Sequence, residues 1–263
     1  PLDVDYRLDY DLDRHTGRFG DTQLGIGPAR FALDGGVDLA RATPRLDLAI
    51  EGKAVPIDPL QDILPALGIV LPERSRLAGG RLETRLQVRG PADALVISGP
   101  ASVADTRLAG FSLGRNVSGL LSLGGVQMPA DTVLKSASTR LRIDANGVAL
   151  DQIAAEVEQL GQVTGQGRIS ADEALDFTLR LRLDEAISAQ QSSSGGLGGT
   201  LRGLLNRGSR DGIGLRIDGP AASPRIRVDA ASLVGLGDPT RPQEAREEEA
   251  SGLRDRLRRL RNR

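Results

Sequence analysis

The lone histidine, His15, is where any chemistry would start, because imidazole is the side chain whose ordinary pKa suits proton transfer near neutrality. It lies in Asp13-Arg14-His15-Thr16-Gly17, a run of turn-forming residues, and reads as part of that turn. A metal would need more ligands. The chain has no second His and no Cys, which excludes thiolate sites and disulfides. Sequence order leaves a Ser-His-Asp arrangement open, but no serine reads as the nucleophile of a strand-to-helix elbow. Carboxylates are plentiful, yet most alternate with Arg along strand-like segments, as cross-strand ion pairing requires. Neither phosphate-cradling glycine pattern is present. The glycine-rich run Gly161-Gln162-Val163-Thr164-Gly165-Gln166-Gly167 continues into Arg168-Ile169 and reads as a narrow or twisted strand. Aromatic residues make up only 2%, too few for base-stacking platforms. The expectation is a non-enzymatic protein without cofactor or metal and without a nucleic-acid partner.

The elements that would position such side chains are mainly strands. In the first twelve residues Leu2, Val4, Tyr6, Leu8, Tyr10 and Leu12 alternate with Asp3, Asp5, Arg7, Asp9 and Asp11. That strict period of two puts all the apolar side chains on one face of a strand. The pattern returns at Leu46, Leu48 and Ile50, at Leu82, Leu86 and Val88, and at Leu141 and Ile143. It continues through Leu175, Phe177, Leu179, Leu181 and Leu183, then Ile213, Leu215 and Ile217, then Ile226 and Val228. Clusters such as Asp34-Gly35-Gly36 and Asn146-Gly147 are expected to separate strands. Gly90-Pro91 and Gly219-Pro220 stand at matching offsets between strand patterns, as repeated hairpin turns would. The fold class that follows is mainly β: a long, curved antiparallel sheet, groove-like or open-barrel-like, with one apolar face.

Two stretches break the pattern. From Ile57 to Leu71 apolar residues fall at helical spacing, with Asp58 placed to cap, Pro59 at the first helical position and Pro65 as a kink. Ser188 to Asp211 has a Ser/Gly linker composition, followed by leucines suited to a short helix. The organisation expected is a β-groove domain over 1–187 with a helical insert near 56–72. A linker over 188–211, a closing hairpin of the same domain over 212–235 and a charged tail over 236–263 would follow.

With 39% hydrophobic and 26% charged residues the chain is ordinary for a globular protein, and a net charge of −1 creates no field drawing it to nucleic acid. Few aromatics leave the apolar face to aliphatic side chains, which can fill a core or make a smooth wall. No apolar run is long enough to span a bilayer, and Pro1 leads straight into a strand pattern, so a membrane anchor is expected upstream.

Several segments together resemble the C-terminal region of the AsmA family of bacterial envelope proteins. They are the opening strand Leu2–Leu12, the Pro-bounded stretch Val55–Pro72, Gly79-Gly80-Arg81-Leu82, and Gly99-Pro100-Ala101-Ser102-Val103-Ala104-Asp105. Leu108-Ala109-Gly110-Phe111-Ser112-Leu113, Gly165-Gln166-Gly167-Arg168-Ile169-Ser170 and the closing Ile217–Asp229 follow in order, so that the match covers about 1–235. The resemblance implies a periplasmic protein of Gram-negative bacteria, anchored to the inner membrane. It further implies that a hydrophobic β-groove binds phospholipid acyl chains for transfer to the outer membrane and for outer-membrane homeostasis. The groove-facing candidates are Val4, Tyr6, Leu8, Tyr10, Leu48, Ile50, Leu86, Val88, Leu141, Ile143, Phe177, Leu179, Leu181, Leu215 and Ile217. An alternative role is a structural or interaction module, with an envelope protein partner, that affects outer-membrane protein assembly.

Overall fold

The computed structural model describes residues 2–72, 74–116, 129–184 and 212–229. The expected linker at 188–211 and charged tail at 236–263 lie outside the described residues. Strands account for most of the described residues: β1 (Leu2–Asp11), β2 (Thr16–Ile26), β3 (Ala29–Asp38), β4 (Arg45–Pro56), β5 (Arg76–Ala78), β6 (Arg81–Pro91) and β7 (Val96–Ala109). They continue as β8 (Thr132–Asp144), β9 (Gly147–Val157), β10 (Gly161–Ser170), β11 (Ala174–Leu183), β12 (Ile213–Pro220) and β13 (Arg225–Val228).

All of them join one antiparallel 13-stranded sheet in the order β1-β2-β3-β4-β6-β7-β8-β9-β10-β11-β12-β13, with short β5 added against β7. Apart from β5, which β4 skips to pair with β6, each strand pairs with its sequence neighbour, the simplest topology for hairpin-connected strands. The sheet is not closed into a barrel, and β1 and β13 are its two edges. The matching Gly-Pro segments behave alike: β6 ends at Pro91 and β12 at Pro220, and each turn is closed by a backbone bond to that proline's carbonyl, from Ala94 at 2.9 Å and from Ser223 at 3.1 Å.

Two expectations need correction. Asp34-Gly35-Gly36 does not separate strands but lies inside β3, where Gly35 faces Phe19 on one side and Leu48 on the other. The insert is not an amphipathic helix either. It forms two single 3-10 turns, Asp58–Leu60 and Pro65–Leu67. Pro59 and Pro65 each remove a backbone donor, and Gly68 ends the second turn in the left-handed conformation at φ 74°. Asp58 does not cap the turn that it opens: its carboxylate accepts the Gly79 backbone N–H at 3.1 Å, tying the insert to the start of β6.

The core sits at two places on one sheet face. Leu60 reaches from the insert into a cluster with Ala29 and Val55, flanked by Ile26, Phe31, Ile63 and Leu82. The larger cluster joins Val157, Leu160, Val163, Leu179, Leu181, Leu183, Ile213 and Leu215, with Leu113 packed against it.

Candidate functional site: one apolar face across the whole sheet

Directly paired residues of antiparallel strands point to the same face, so the register decides what that face carries. Starting at β1, Leu8 pairs with Phe19, Phe19 with Gly35, Gly35 with Leu48, Leu48 with Val88 and Val88 with Ile97. The same row runs on through Ile143, Val148, Ile169 and Leu175 to Gly219 on β12. It meets no charged side chain. A second row carries Leu141, Leu150, Gly167, Phe177, Ile217 and Ile226. A third carries Val55, Leu82, Val103, Ala137, Ala155, Val163, Leu181 and Ile213, with small side chains in its middle. At about 4.8 Å per strand step, the first row is roughly 50 Å long.

Glycine is what lets large side chains lie flat on this face. A Cβ at Gly167 would fall on the Phe177 ring, so the ring covers the bare backbone of β10. The glycine-rich run is thus β10 itself, and its glycines face the apolar side opposite Phe177, Leu179 and Leu183.

The candidate residues all lie on this face but differ in cover. Val88, Leu179, Leu181 and Leu215 are buried, Leu181 completely, within the packed sheet or the larger cluster. Leu48, Ile50, Leu86, Leu141, Ile143, Phe177 and Ile217 are half-buried. Val4, Tyr6, Leu8 and Tyr10 on edge strand β1 are exposed, Tyr6 at 63%. The insert lies over part of the face, since a Cβ at Gly68 would come within 3.5 Å of the Val148 side chain.

Phe19, Ile97, Val148, Leu150, Ile153 and Ile169 share the face but do not stand out in the sequence. For Ile153 the reason is local: Gln152 in β9 takes φ 54°, and β9 shifts register against β10 at Gly165/Gly167. The bulge moves Ile153 out of phase with Val148 and Leu150, so a count by two loses it.

The opposite face is charged and paired. Arg89 meets Asp47 at 2.9 Å, Arg85 meets Glu51 at 2.7 Å, Lys135 meets Glu156 at 3.1 Å and Arg216 meets Asp176 at 3.0 Å, all between neighbouring strands. The Arg85 hydrogen bond holds the Glu51 carboxyl below its ordinary pKa, and Lys53 adds to this. A carboxyl lowered on folding contributes stability above its unfolded pKa and loses it as pH falls through the lower, folded value. Glu51 should therefore titrate below a free glutamate in a carbon-detected NMR experiment, and Arg85→Ala should move it back up. The pair is solvent-exposed, so Arg85→Ala should change the melting temperature little.

Proton-transfer chemistry has no assembled group among the described residues. His15 stands in the β1–β2 turn at φ 52°, with its Nδ1 3.3 Å from the Tyr10 hydroxyl. Contrary to expectation, one serine has elbow spacing: Gly110-Phe111-Ser112-Leu113-Gly114 follows β7. Its environment is that of a cap. The Ser112 hydroxyl donates to the Pro129 carbonyl at 2.5 Å and accepts the Arg115 backbone N–H at 3.1 Å, and Ser112 lacks the positive φ of a strained elbow. His15 lies several strands away and at the other end of the sheet, where β7 starts, whereas Ser112 follows the end of that strand. No family model, curated protein or solved structure matches this chain.

Proposed function

We propose that this protein binds lipid acyl chains along the apolar face of its sheet, as part of an AsmA-like envelope protein that moves phospholipid between membranes. The observation that carries the reading is the charge-free row from Leu8 to Gly219, crossing eleven strands with Leu48, Ile97 and Ile143 only half-buried. Soluble proteins rarely leave so long an apolar path partly open without a ligand or partner for it. An acyl chain costs about 0.8 kcal/mol per CH2 exposed to water, so a path between membranes must stay apolar along its whole length. Aliphatic side chains without a polar anchor suit passage better than tight, specific holding. On this reading the protein works in the periplasm, held to the inner membrane, and performs no covalent chemistry.

Organic extraction of the purified chain should yield phospholipid detectable by mass spectrometry. The double variant Leu141→Asp, Ile143→Asp places charge on half-buried positions of the first two rows and should lose most of that lipid while keeping its β circular dichroism spectrum. A chain that stays lipid-free after incubation with phospholipid vesicles would sink the reading. In that case an interaction module for an envelope protein would be the better account, and crosslinking would be the next step.

A further inference from the structure

The two edges of the sheet are built differently. β13 is four residues long, and its Arg225 and Arg227 both engage Asp218 of β12, Arg225 at 2.9 Å. Shortness and local charge pairing are two of the usual ways an edge is kept from pairing with other chains. β1 is ten residues long and contains neither Lys nor Pro. The bulge in the β1–β2 pair falls at Asp21 on β2, which takes φ 48°, and leaves β1 regular.

The exposed large hydrophobic residues of the described chain concentrate on the same strand and its turn: Val4 at 45%, Tyr6 at 63%, Leu8, Tyr10 and Leu12, with only Leu39 elsewhere. On the other side of β1, Arg7 is taken by Asp21 at 3.2 Å and Asp11 holds the turn through the backbone N–H groups of Asp13 and Arg14. Among the described residues Asp3, Asp5 and Asp9 have no ion pair.

We propose that β1 is a docking edge that takes up one further antiparallel strand, whose residues alternate between apolar and basic. Main-chain bonds would come from the free edge of β1, as in β-augmentation generally. The apolar side chains would continue the rows of Val4, Tyr6 and Leu8, and the basic ones would face Asp3, Asp5 and Asp9. A second β1 is a poor occupant, because the unpaired aspartates would face their own copies. This inference does not depend on lipid binding.

The test uses the full chain and a synthetic twelve-residue peptide alternating Val and Arg, with binding followed by fluorescence anisotropy. The control peptide carries N-methyl groups on alternate residues, which remove backbone donors without changing charge. Saturable binding should be lost with the control and weakened about tenfold or more by Asp3→Lys, Asp5→Lys, Asp9→Lys, because opposite charges across a strand pair attract and like charges repel. Unchanged circular dichroism of the variant would show that its sheet is intact. Binding indifferent to N-methylation, or no binding, would overturn the proposal. Concentration-dependent self-association abolished by Arg225→Ala, Arg227→Ala would overturn it in favour of a second copy as occupant.

Discussion

Leu181→Asp should give a chain with no cooperative unfolding transition, whereas Tyr6→Asp, on the same face, should unfold within about 0.5 kcal/mol of the parent. Leu181 is fully buried between Val163 and Ile213 on neighbouring strands, in the cluster completed by Leu179, Leu183 and Leu215. Truncation alone, as in Leu181→Ala, should cost roughly 2–5 kcal/mol through lost burial and the cavity left behind. A carboxylate there adds the cost of burying a polar group without a partner, several kcal/mol more. Together these approach the whole stability of an ordinary domain, about 5–15 kcal/mol. Tyr6 is 63% exposed on an edge strand and has little packing to lose. Urea denaturation followed by circular dichroism distinguishes the two, and equal effects would mean that the β11 cluster is not the core.

Gly165→Ala should destabilise the chain by about 2 kcal/mol or more, although it adds a single methyl group. Gly165 has φ 151°, and a Cβ built there would fall on the Thr178 backbone carbonyl oxygen of β11. Backbone cannot swing aside as a side-chain end can, so relief requires parting β10 from β11 at the centre of their pairing. Gly20→Ala is the matched control, since no atom lies within 4 Å of the position its Cβ would take. That variant should be neutral or slightly more stable, by up to about 1 kcal/mol, through a less free unfolded chain. Melting temperatures of the two single variants check the pair directly. A tolerated Gly165→Ala would mean that β10 and β11 do not pair in this register.

The same glycines mark where the sequence is easy to read and where it is not. β1 and β11 alternate without interruption, so Val4 to Tyr10 and Leu175 to Leu183 are legible as one-face strands. β9 starts on Val148 and Leu150, shifts phase at Gln152 and resumes on Ile153, Ala155 and Val157. Its local pattern therefore looks irregular although its apolar side chains share one face in the sheet. The insert misleads in the opposite direction. Its spacing is helical, but Pro59, Pro65 and Gly68 allow only isolated turns, and the anchoring of Asp58 to Gly79 is a contact 21 residues apart. Ser112 shows the same limit: elbow spacing is local, while the Pro129 carbonyl that engages its hydroxyl is 17 residues away.

By itself, then, the sequence determined the strand class, the one-sided chemistry of the strands and the Arg–carboxylate pairing of the polar side, because each depends on alternation along a few neighbouring residues. Tertiary structure alone decided how far the apolar rows run, that the sheet stays open, and how the face divides. Leu181 lies in the core, Ile143 is half-covered and Tyr6 stands in solvent, yet all three occupy equivalent alternating positions. Alternation fixes the side of a strand on which a residue falls. Its burial depends on what the register places beside it and what the chain lays over it, and neither is a local property.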